Sequence, residues 1–370
     1  MQEILSYLRN HTPNSPTHAV TLVFGTGLSS ALSDHSAKDW KGQIRYLAAQ
    51  LTKKEQRRLG VERILKDGAK SHHFTGLLHI LRRELGVTKW AKALKDCIQG
   101  VVDTEKSVAD KGVQNWNGLF EKLGDYVRDG RVRLATTNFD DILARRCRLN
   151  VISRNGLVFN PLAPESAVPI LPAAALPGTS HMPPEESQEA KRVVLQLWGN
   201  SEDQSGRLNR DIWNKAAGVL HLHGWYQRPD DLVVDPVDYH LASERAVSLD
   251  LTETLLTRLL RSRNETVVFV GAGDGMLDDH FIEVWNATRE KDDESSFDPS
   301  SNLWLINRVC DSRLPAKLQK ILDQRPGNTL RVMDLLTPVR YGAEDPTDRS
   351  AHFELAPLRV GDILTQRLGS

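Results

Sequence analysis

Six short apolar runs constrain the fold of this 370-residue chain most strongly. Each run is aliphatic or β-branched throughout and lacks the alternation of apolar and polar residues that a half-exposed strand shows. Such runs are typical of strands buried on both faces, as in a parallel sheet. Because helical patterns lie between them, we predict an α/β fold, with a Rossmann-like, mostly parallel sheet and helices on both faces. The predicted strands are Ala19–Phe24, Val132–Thr136, Val219–His223, Thr266–Gly271, Asn302–Ile306 and Leu330–Met333.

The segments between these strands predict one domain with additions to its core. Residues 39–128 repeat apolar residues every three or four positions, which indicates an inserted helical module. Residues 151–214 begin with a proline-rich stretch that disfavours a regular helix or a central strand, so we expect a cover loop followed by a helix. The remaining ranges are predicted as core (18–38, 130–150 and 215–340) and C-terminal tail (341–370).

Composition argues against several classes of protein. Lys plus Arg and Asp plus Glu both number 48, so no overall basic field for nucleic acid is present. Three cysteines, none in a C-x-x-C pair, cannot form a four-cysteine zinc site. We recognise no signal peptide and no apolar segment of about 18 residues, so we expect a cytoplasmic protein with no membrane partner.

Polar motifs follow four of the predicted strands. The chain reads GTGLSS after the first strand, TTNFDD after the second, HLHGWY at the end of the third and GAGDGMLDD after the fourth. In an open parallel sheet, ligands bind beyond the carboxyl ends of the strands. We therefore expect the four turns to meet at one edge of the sheet, and this convergence is a stronger signal than any single motif.

Two of these turns are rich in glycine. Gly25 and Gly27 would let backbone amides approach a diphosphate at the start of a helix. The full dinucleotide motif has a third glycine where Ser30 stands, so a tight structural turn is the alternative. Gly271 and Gly273 would allow a similarly close approach to the adenosine half of a nucleotide.

The second motif places Asn138 and Asp140 on either side of Phe139. In an extended chain the two polar side chains point to one side while Phe139 packs on the other. Such a pair could orient a sugar or an amide and hold a water molecule. Asn and Asp are also common in turns and helix caps, which is the structural alternative.

The third motif contains two histidines. His221 and His223 are two apart, so on a strand they would share one face, and His-x-His pairs also occur in metal sites. His223 precedes a glycine at a strand end and is suited to act as a general base, because the pKa of imidazole lies near neutrality. Each histidine could instead be a structural residue.

This ordered set of turns resembles the sirtuin family. Its G-A-G-x-S motif is similar to residues 25–29, its T-x-N-x-D motif to residues 136–140 and its His-Gly pair to residues 223–224. Its late glycine-rich turn is similar to residues 271–275. Because it lacks a zinc ribbon, the chain resembles the branch of the family that contains NAD hydrolases of bacterial antiphage defence and their animal relatives.

The resemblance implies that NAD is the substrate and that no metal is needed. It assigns Asn138 to the ribose and the attacking water, His223 to the general base and Asp140 to the nicotinamide carboxamide. Two further groups are implied: Gly25, Thr26, Gly27 and Ser29 for the diphosphate, and Gly271, Gly273 and Asp274 for the adenosine half.

Because an unrestrained NAD hydrolase would harm its own cell, we also expect its activity to be gated. We expect a homo-oligomer or filament, or a sensor protein that activates the chain in trans. Three alternatives are an NAD-dependent protein deacylase, a binding module for NAD or ADP-ribose without turnover, and a metal-dependent hydrolase. The last would use His221, His223, Asp140 and Asp141.

Overall fold

The computed structural model describes a large part of the chain. The described residues are 19–66, 71–107, 109–153, 157–169, 217–228, 232–234, 238, 265–273, 302–306, 316, 318–320, 331–334, 356–357, 360–361 and 364–365. Within these ranges, no helix has both the length and the apolar character needed to cross a membrane.

A mostly parallel sheet forms the centre of the described structure. Its spatial order is β5-β4-β3-β6-β2-β1-β7-β8-β9. Every neighbouring pair is parallel except β3–β4 and β4–β5. The strands are β1 (Ala19–Phe24), β2 (Val132–Thr136), β3 (Asn150–Ile152), β4 (Leu157–Asn160), β5 (Ala163–Pro169), β6 (Gly218–His221), β7 (Glu265–Val270), β8 (Asn302–Ile306) and β9 (Arg331–Asp334).

The six predicted strands and the α/β class are confirmed. Strands β1, β2 and β8 have the predicted bounds, and the other three differ by one or two residues at each end. The described side chains of β1, β2 and β6 are buried on both faces, which is why their sequences do not alternate. The one shift that matters for the site is in β6, which ends at His221 and leaves His223 beyond the strand.

The beginning of the proline-rich stretch forms two strands, β4 and β5, where the sequence predicts a loop. Strands β4 and β5 lie antiparallel at one edge of the sheet, next to the short strand β3. Prolines are tolerated there because an edge strand does not need every backbone N–H for pairing. The rest of the predicted cover loop and its helix, residues 170–216, lie outside the described residues.

Eight helices are described from end to end, and six of them lie between residues 40 and 128, where the sequence predicts a helical insertion. Asp39 caps the second helix by accepting a hydrogen bond from the Gly42 N–H over 2.8 Å. The helices are α1 (Thr26–Leu32), α2 (Trp40–Ala48), α3 (Lys53–Leu59), α4 (Val61–Lys66), α5 (Ser71–Leu85), α6 (Val87–Asp103), α7 (Lys111–Arg128) and α8 (Ile142–Arg146).

The helices and the sheet share one apolar core. In α7, Trp116 is buried and its ring meets that of Phe24 in β1 edge-on, with 6.4 Å between the centroids. Val360 and Leu364, four residues apart as on one face of a helix, belong to the same core. The division of the chain into core, insertion, cover and tail stays a prediction.

Candidate functional site

The carboxyl ends of four parallel strands lie side by side. Phe24, the last residue of β1, is in register with Thr136 of β2 on one side and with Val270 of β7 on the other. Thr136 is in turn in register with His221 of β6. All four polar turns therefore begin at the same edge of the sheet, as the sequence predicts.

A chain of hydrogen bonds joins the first two motifs. The side-chain amide of Asn138 donates to the Ser29 hydroxyl over 2.7 Å, and that hydroxyl donates to Asp140 Oδ2 over 2.5 Å. Ser29 lies on α1, and all three side chains are buried, between 3% and 6% exposed. One hydroxyl therefore holds the amide and the carboxyl in a fixed relation.

The oxygen of the Asn138 side-chain amide, Oδ1, is a buried acceptor. Asn138 Oδ1 accepts no hydrogen bond from any residue that the structure describes. Because a buried acceptor without a partner is unfavourable, this atom is available to a ligand hydroxyl or a water molecule. The orientation of the amide follows from its bond to Ser29.

Asp140 serves the local structure as well as the site. Its Oδ1 accepts a hydrogen bond from the Ile142 N–H over 3.2 Å, at the start of α8. Burial raises the pKa of the Asp140 carboxyl, and the hydrogen bonds from Ser29 and the Ile142 N–H oppose this rise. The structural alternative for Asp140, a turn or cap, is thus compatible with a functional position.

Phe139, between the two polar residues, packs against other rings. It follows the end of β2 at Thr136 and lines the same cavity as Asn138 and Asp140, so the predicted alternation of an extended strand does not apply. Its ring meets Trp40 of α2 at 6.1 Å and His223 at 6.4 Å between centroids. Its carbonyl accepts a hydrogen bond from the Tyr226 N–H over 3.0 Å. The second and third motifs are therefore joined through Phe139.

His223 lies in the turn after β6 and is only 2% exposed. Gly224 has a φ of 85°, a left-handed conformation that favours glycine and turns the chain back toward His221. The carbonyl of His223 accepts a hydrogen bond from the Val233 N–H over 3.0 Å. The expectation that both histidines lie on one face of a strand is wrong, because the strand has ended before His223.

His221 is fully buried at the end of β6. Burial lowers the pKa of its imidazole to about 4, although the backbone of Asn138 and of Gly224 partly opposes this shift. The ring is therefore neutral at pH 7. This environment is that of a structural histidine, which the sequence left as an alternative.

Asp141, next in the chain to Asp140, is also buried. Burial and the neighbouring Asp140 carboxyl raise the pKa of Asp141 to about 7, and Arg145 opposes the rise. Within the described ranges, no group of three or more His, Cys, Asp or Glu side chains could hold a metal ion.

The two glycine-rich turns pack directly against each other. The Gly25 N–H donates to the Val270 carbonyl over 2.9 Å, and the Gly27 N–H donates to the Gly271 carbonyl over 3.0 Å. A Cβ at Gly25 would lie 2.2 Å from the Ala272 Cα, so only glycine fits there. Gly271 also has a φ of 64°, in the left-handed region.

This packing bears on the assigned ligand contacts. The amides of Gly25 and Gly27 are already bonded to the last residue of β7 and to the turn after it, so their assignment to a diphosphate stays a prediction. The same holds for Gly271 and Gly273. Asp274, the remaining residue assigned to the adenosine half, lies outside the described residues.

A narrow polar cavity of about 10 Å³ lies beside the Asn138 amide, with room for about one water molecule. Sequence reasoning missed three of its wall residues, Lys38, Trp40 and Gln43, because they follow α1 in a segment without a motif. The Asp39 cap, which starts α2 at Trp40, is the only local signal there. The cavity is lined by Thr26, Ser29, Lys38, Trp40, Gln43, Thr137, Asn138, Phe139 and Asp140.

The model of the SIR2-like domain family matches residues 132–322, about half of the chain. The chain belongs to this family. The match begins at β2 and includes the TTNFDD motif, the His-Gly pair and the late glycine-rich turn. No curated protein matches the sequence significantly.

Strand β1 precedes the matched residues in the sequence but belongs to the same sheet, because it pairs with both β2 and β7. The first glycine-rich turn therefore belongs to the same site as the matched motifs. Membership of the family indicates NAD-related activity.

Proposed function

We propose that this protein is an NAD glycohydrolase, which cleaves the bond between nicotinamide and ribose. The observation that carries the proposal is the buried hydrogen-bond chain Asn138–Ser29–Asp140 beside the His223 turn in a SIR2-like domain. Its unpartnered acceptor, Asn138 Oδ1, faces no competing protein donor in the described ranges.

The reaction requires positioning and electrostatic stabilisation more than covalent chemistry. The bond from C1′ of the ribose to the nicotinamide nitrogen breaks, and its electron pair leaves with neutral nicotinamide. A water oxygen bonds to C1′, one proton is released, and the products are nicotinamide and ADP-ribose. Positive charge builds on the sugar during cleavage, so fixed acceptor atoms near it lower the barrier.

Three side chains would share this work. Asn138 Oδ1 would accept a hydrogen bond from a ribose hydroxyl or from the attacking water. His223 would take the proton from that water or hydroxyl as general base. Asp140 would bind the nicotinamide carboxamide, and its two bonded donors would favour its ionised form.

The rest of NAD would extend along the glycine-rich turns. Thr26, which lines the cavity, would contact the diphosphate together with Gly25 and Gly27. Gly271, Gly273 and Asp274 would contact the adenosine half.

The cysteines favour hydrolysis over transfer of an acyl group from lysine. Deacylase sirtuins carry a four-cysteine zinc ribbon, and this chain has three cysteines in all. Cys97 is buried in α6 and Cys147 directly follows α8, and burial raises the pKa of the Cys97 thiol to about 12. These two are inert core thiols.

The test is to incubate the purified protein with NAD and to measure nicotinamide and ADP-ribose. We expect cleavage by the wild type and its loss in His223→Ala and Asn138→Ala, while thermal unfolding shows that both variants fold. Asn160→Ala, in β4, is the matched amide control and keeps activity. Full activity of His223→Ala would contradict the assignment, and acetyl-ADP-ribose formed from an acetylated peptide would indicate a deacylase.

Gating is part of the proposal. The cavity beside Asn138 holds about one water molecule, so the wall of Lys38, Trp40 and Gln43 has to move before a nicotinamide ring enters. Assembly into an oligomer or filament, or contact with a sensor protein, would supply that movement. Specific activity should then rise with protein concentration or on adding the activator. A dilute monomer that cleaves NAD at the full rate would contradict gating.

We propose antiphage defence by NAD depletion as the biological role. In bacteria that carry the wild-type protein, infection should lower cellular NAD and phage yield. Cells with His223→Ala should lose both effects. An equal phage yield in the two strains would contradict this role.

A further inference from the structure

Two helices of the insertion, α6 and α5, contact the chain that follows His223. On one side, the Tyr226 hydroxyl donates to Gln99 Oε1 of α6 over 3.1 Å. Gln227 Nε2 approaches the same oxygen at 3.4 Å. Gln99 therefore binds the chain three residues after His223.

On the other side, an ion pair reaches from α5. Arg82 Nη1 lies 2.7 Å from Asp238 Oδ1. The two side chains are 33% and 14% exposed, so solvent screens this pair less than a fully exposed one. The pair joins residues 156 positions apart in the chain.

The Asp238 carboxylate is also bonded to the backbone beside the turn. Its Oδ2 accepts a hydrogen bond from the Val234 N–H over 3.2 Å. The neighbouring Val233 N–H donates to the His223 carbonyl over 3.0 Å, and both valines are buried. Consecutive contacts therefore lead from Arg82 through Asp238 and the two valines to the backbone of His223.

A second ion pair in the same region lacks this connection. Arg58 Nη2 of α3 lies 2.6 Å from Glu84 Oε2 of α5, with side chains 60% and 27% exposed. That pair joins two helices of the insertion. It provides a matched comparison of similar geometry.

We propose that Arg82 and Asp238 are positioning residues that fix the backbone of His223, so that α5 sets the geometry of the general base. The kinetic part of this inference rests on the proposed NAD hydrolysis. A small displacement of a reacting group lowers rate much more than binding, since the approach geometry is lost. Any movement of α5 against the sheet would then change activity although no residue of α5 lines the cavity.

The kinetic test compares variants of the full chain. Arg82→Ala and Asp238→Asn should each lower kcat by about ten-fold, with KM for NAD within about two-fold of the wild type. Arg82→Lys, which keeps the charge, should recover most of the rate. The double variant should be no slower than either single one, because both remove the same contact. Arg58→Ala should leave kcat unchanged.

A second measurement does not depend on activity. Amide hydrogen exchange of a peptide that contains Val233 and Val234 should be faster in Arg82→Ala than in the wild type or Arg58→Ala. A peptide from β1 should exchange as in the wild type. If the wild type does not cleave NAD, the proposed function fails while this exchange still tests the link.

Three results would overturn the inference. One is unchanged exchange near Val233 in Arg82→Ala. Another is faster exchange there with an unchanged kcat in an active enzyme. The third is faster exchange in β1 as well, which would mean that the pair stabilises the whole protein and does not position His223.

Discussion

The side-chain amide of Asn138 donates a hydrogen bond to the Ser29 hydroxyl, although 109 residues separate them in the chain. The same hydroxyl donates to Asp140, so it holds two candidate ligand-binding groups at once. Ser29 is thus better described as a residue that orients Asn138 and Asp140 than as one turned toward a phosphate. Its assignment to the diphosphate stays a prediction.

Removing this hydroxyl should change the pH dependence of NAD cleavage. The Ser29 bond lowers the pKa of Asp140, so in Ser29→Ala burial acts with less opposition and that pKa rises. If cleavage needs ionised Asp140, the acidic limb of the kcat/KM profile moves to higher pH. The buried Asn138 amide also loses its acceptor, at a cost of about 1–3 kcal/mol in the free energy of unfolding.

Ser30→Ala is the control for Ser29→Ala. Ser30 lies next in α1 and is half-buried, and its hydroxyl donates to the Lys38 carbonyl at 3.4 Å and not to Asn138 or Asp140. Its pH profile should match that of the wild type. An unshifted acidic limb in Ser29→Ala would show that Asp140 ionisation does not limit cleavage.

Gly25→Ala should unfold or strongly destabilise the protein. The new Cβ would lie 2.2 Å from the Ala272 Cα and 2.6 Å from the Gly271 carbonyl oxygen, so the two turns would have to separate. We expect a loss of about 3 kcal/mol or more, measured by urea unfolding. Gly118→Ala in α7, where no atom lies within 4 Å of the new Cβ, should gain about 0.5–1 kcal/mol.

His221 should make the protein sensitive to acid. Its pKa is about 4 in the folded protein and about 6.5 in an unfolded chain, so the unfolded chain binds more protons between these values. The free energy of unfolding therefore falls as pH falls from about 6.5 to about 4, by up to about 3 kcal/mol. His221→Gln lacks this contribution.

The measurement is urea unfolding of the wild type and His221→Gln at several pH values between 4 and 7. Asp141 acts in the opposite sense, because its raised pKa of about 7 favours the folded state as pH falls below that value. The comparison of the two proteins removes the Asp141 contribution, which both share. If the free energy of unfolding changes with pH in the same way in both proteins, the pKa of His221 is not depressed in the folded state.

Lys38 should contribute to the affinity for NAD. Lys38 lines the cavity beside Asp140 and is the one cation among the residues of that wall. Its ammonium group donates to the Ser33 carbonyl over 3.1 Å and would have to leave that bond to reach a ligand. We expect Lys38→Gln to raise KM by about ten-fold, which corresponds to one charge-assisted contact. Lys41→Gln, on the exposed side of α2, should leave KM unchanged, and equal KM values in the two variants would exclude this role.

Short-range patterns predicted the framework and the position of the site. Buried strands such as β1 and β7 carry uninterrupted apolar runs, and their order along the chain predicts which ends meet. The TTNFDD motif was sufficient to place Asn138 and Asp140 at this edge of the sheet, although they meet through the Ser29 hydroxyl and not through strand alternation. These features depend on residues that are neighbours in sequence.

Contacts between distant segments escaped prediction. The bonds from Gly25 and Gly27 to the last residue of β7 and to the turn after it join residues about 245 positions apart, and no local pattern reports such a partner. Lys38 and Trp40 lie on either side of the Asp39 cap, and no local pattern connects that cap to the cavity. His223 was placed on a strand because apolar residues continue to Leu222, but the chain already turns at that residue.

The central place of β1 has a consequence for synthesis. Its neighbours, β2 and β7, are translated more than 100 and more than 240 residues later. The residues that pack against the first glycine-rich turn are complete only when Ala272 has been translated. Because pairing between distant segments has to await both partners, a ribosome-bound chain that stops short of that residue lacks the wall against which Gly25 and Gly27 rest. If the complete protein cleaves NAD as proposed, abandoned translation products of this kind would leave the dinucleotide pool of the cell intact.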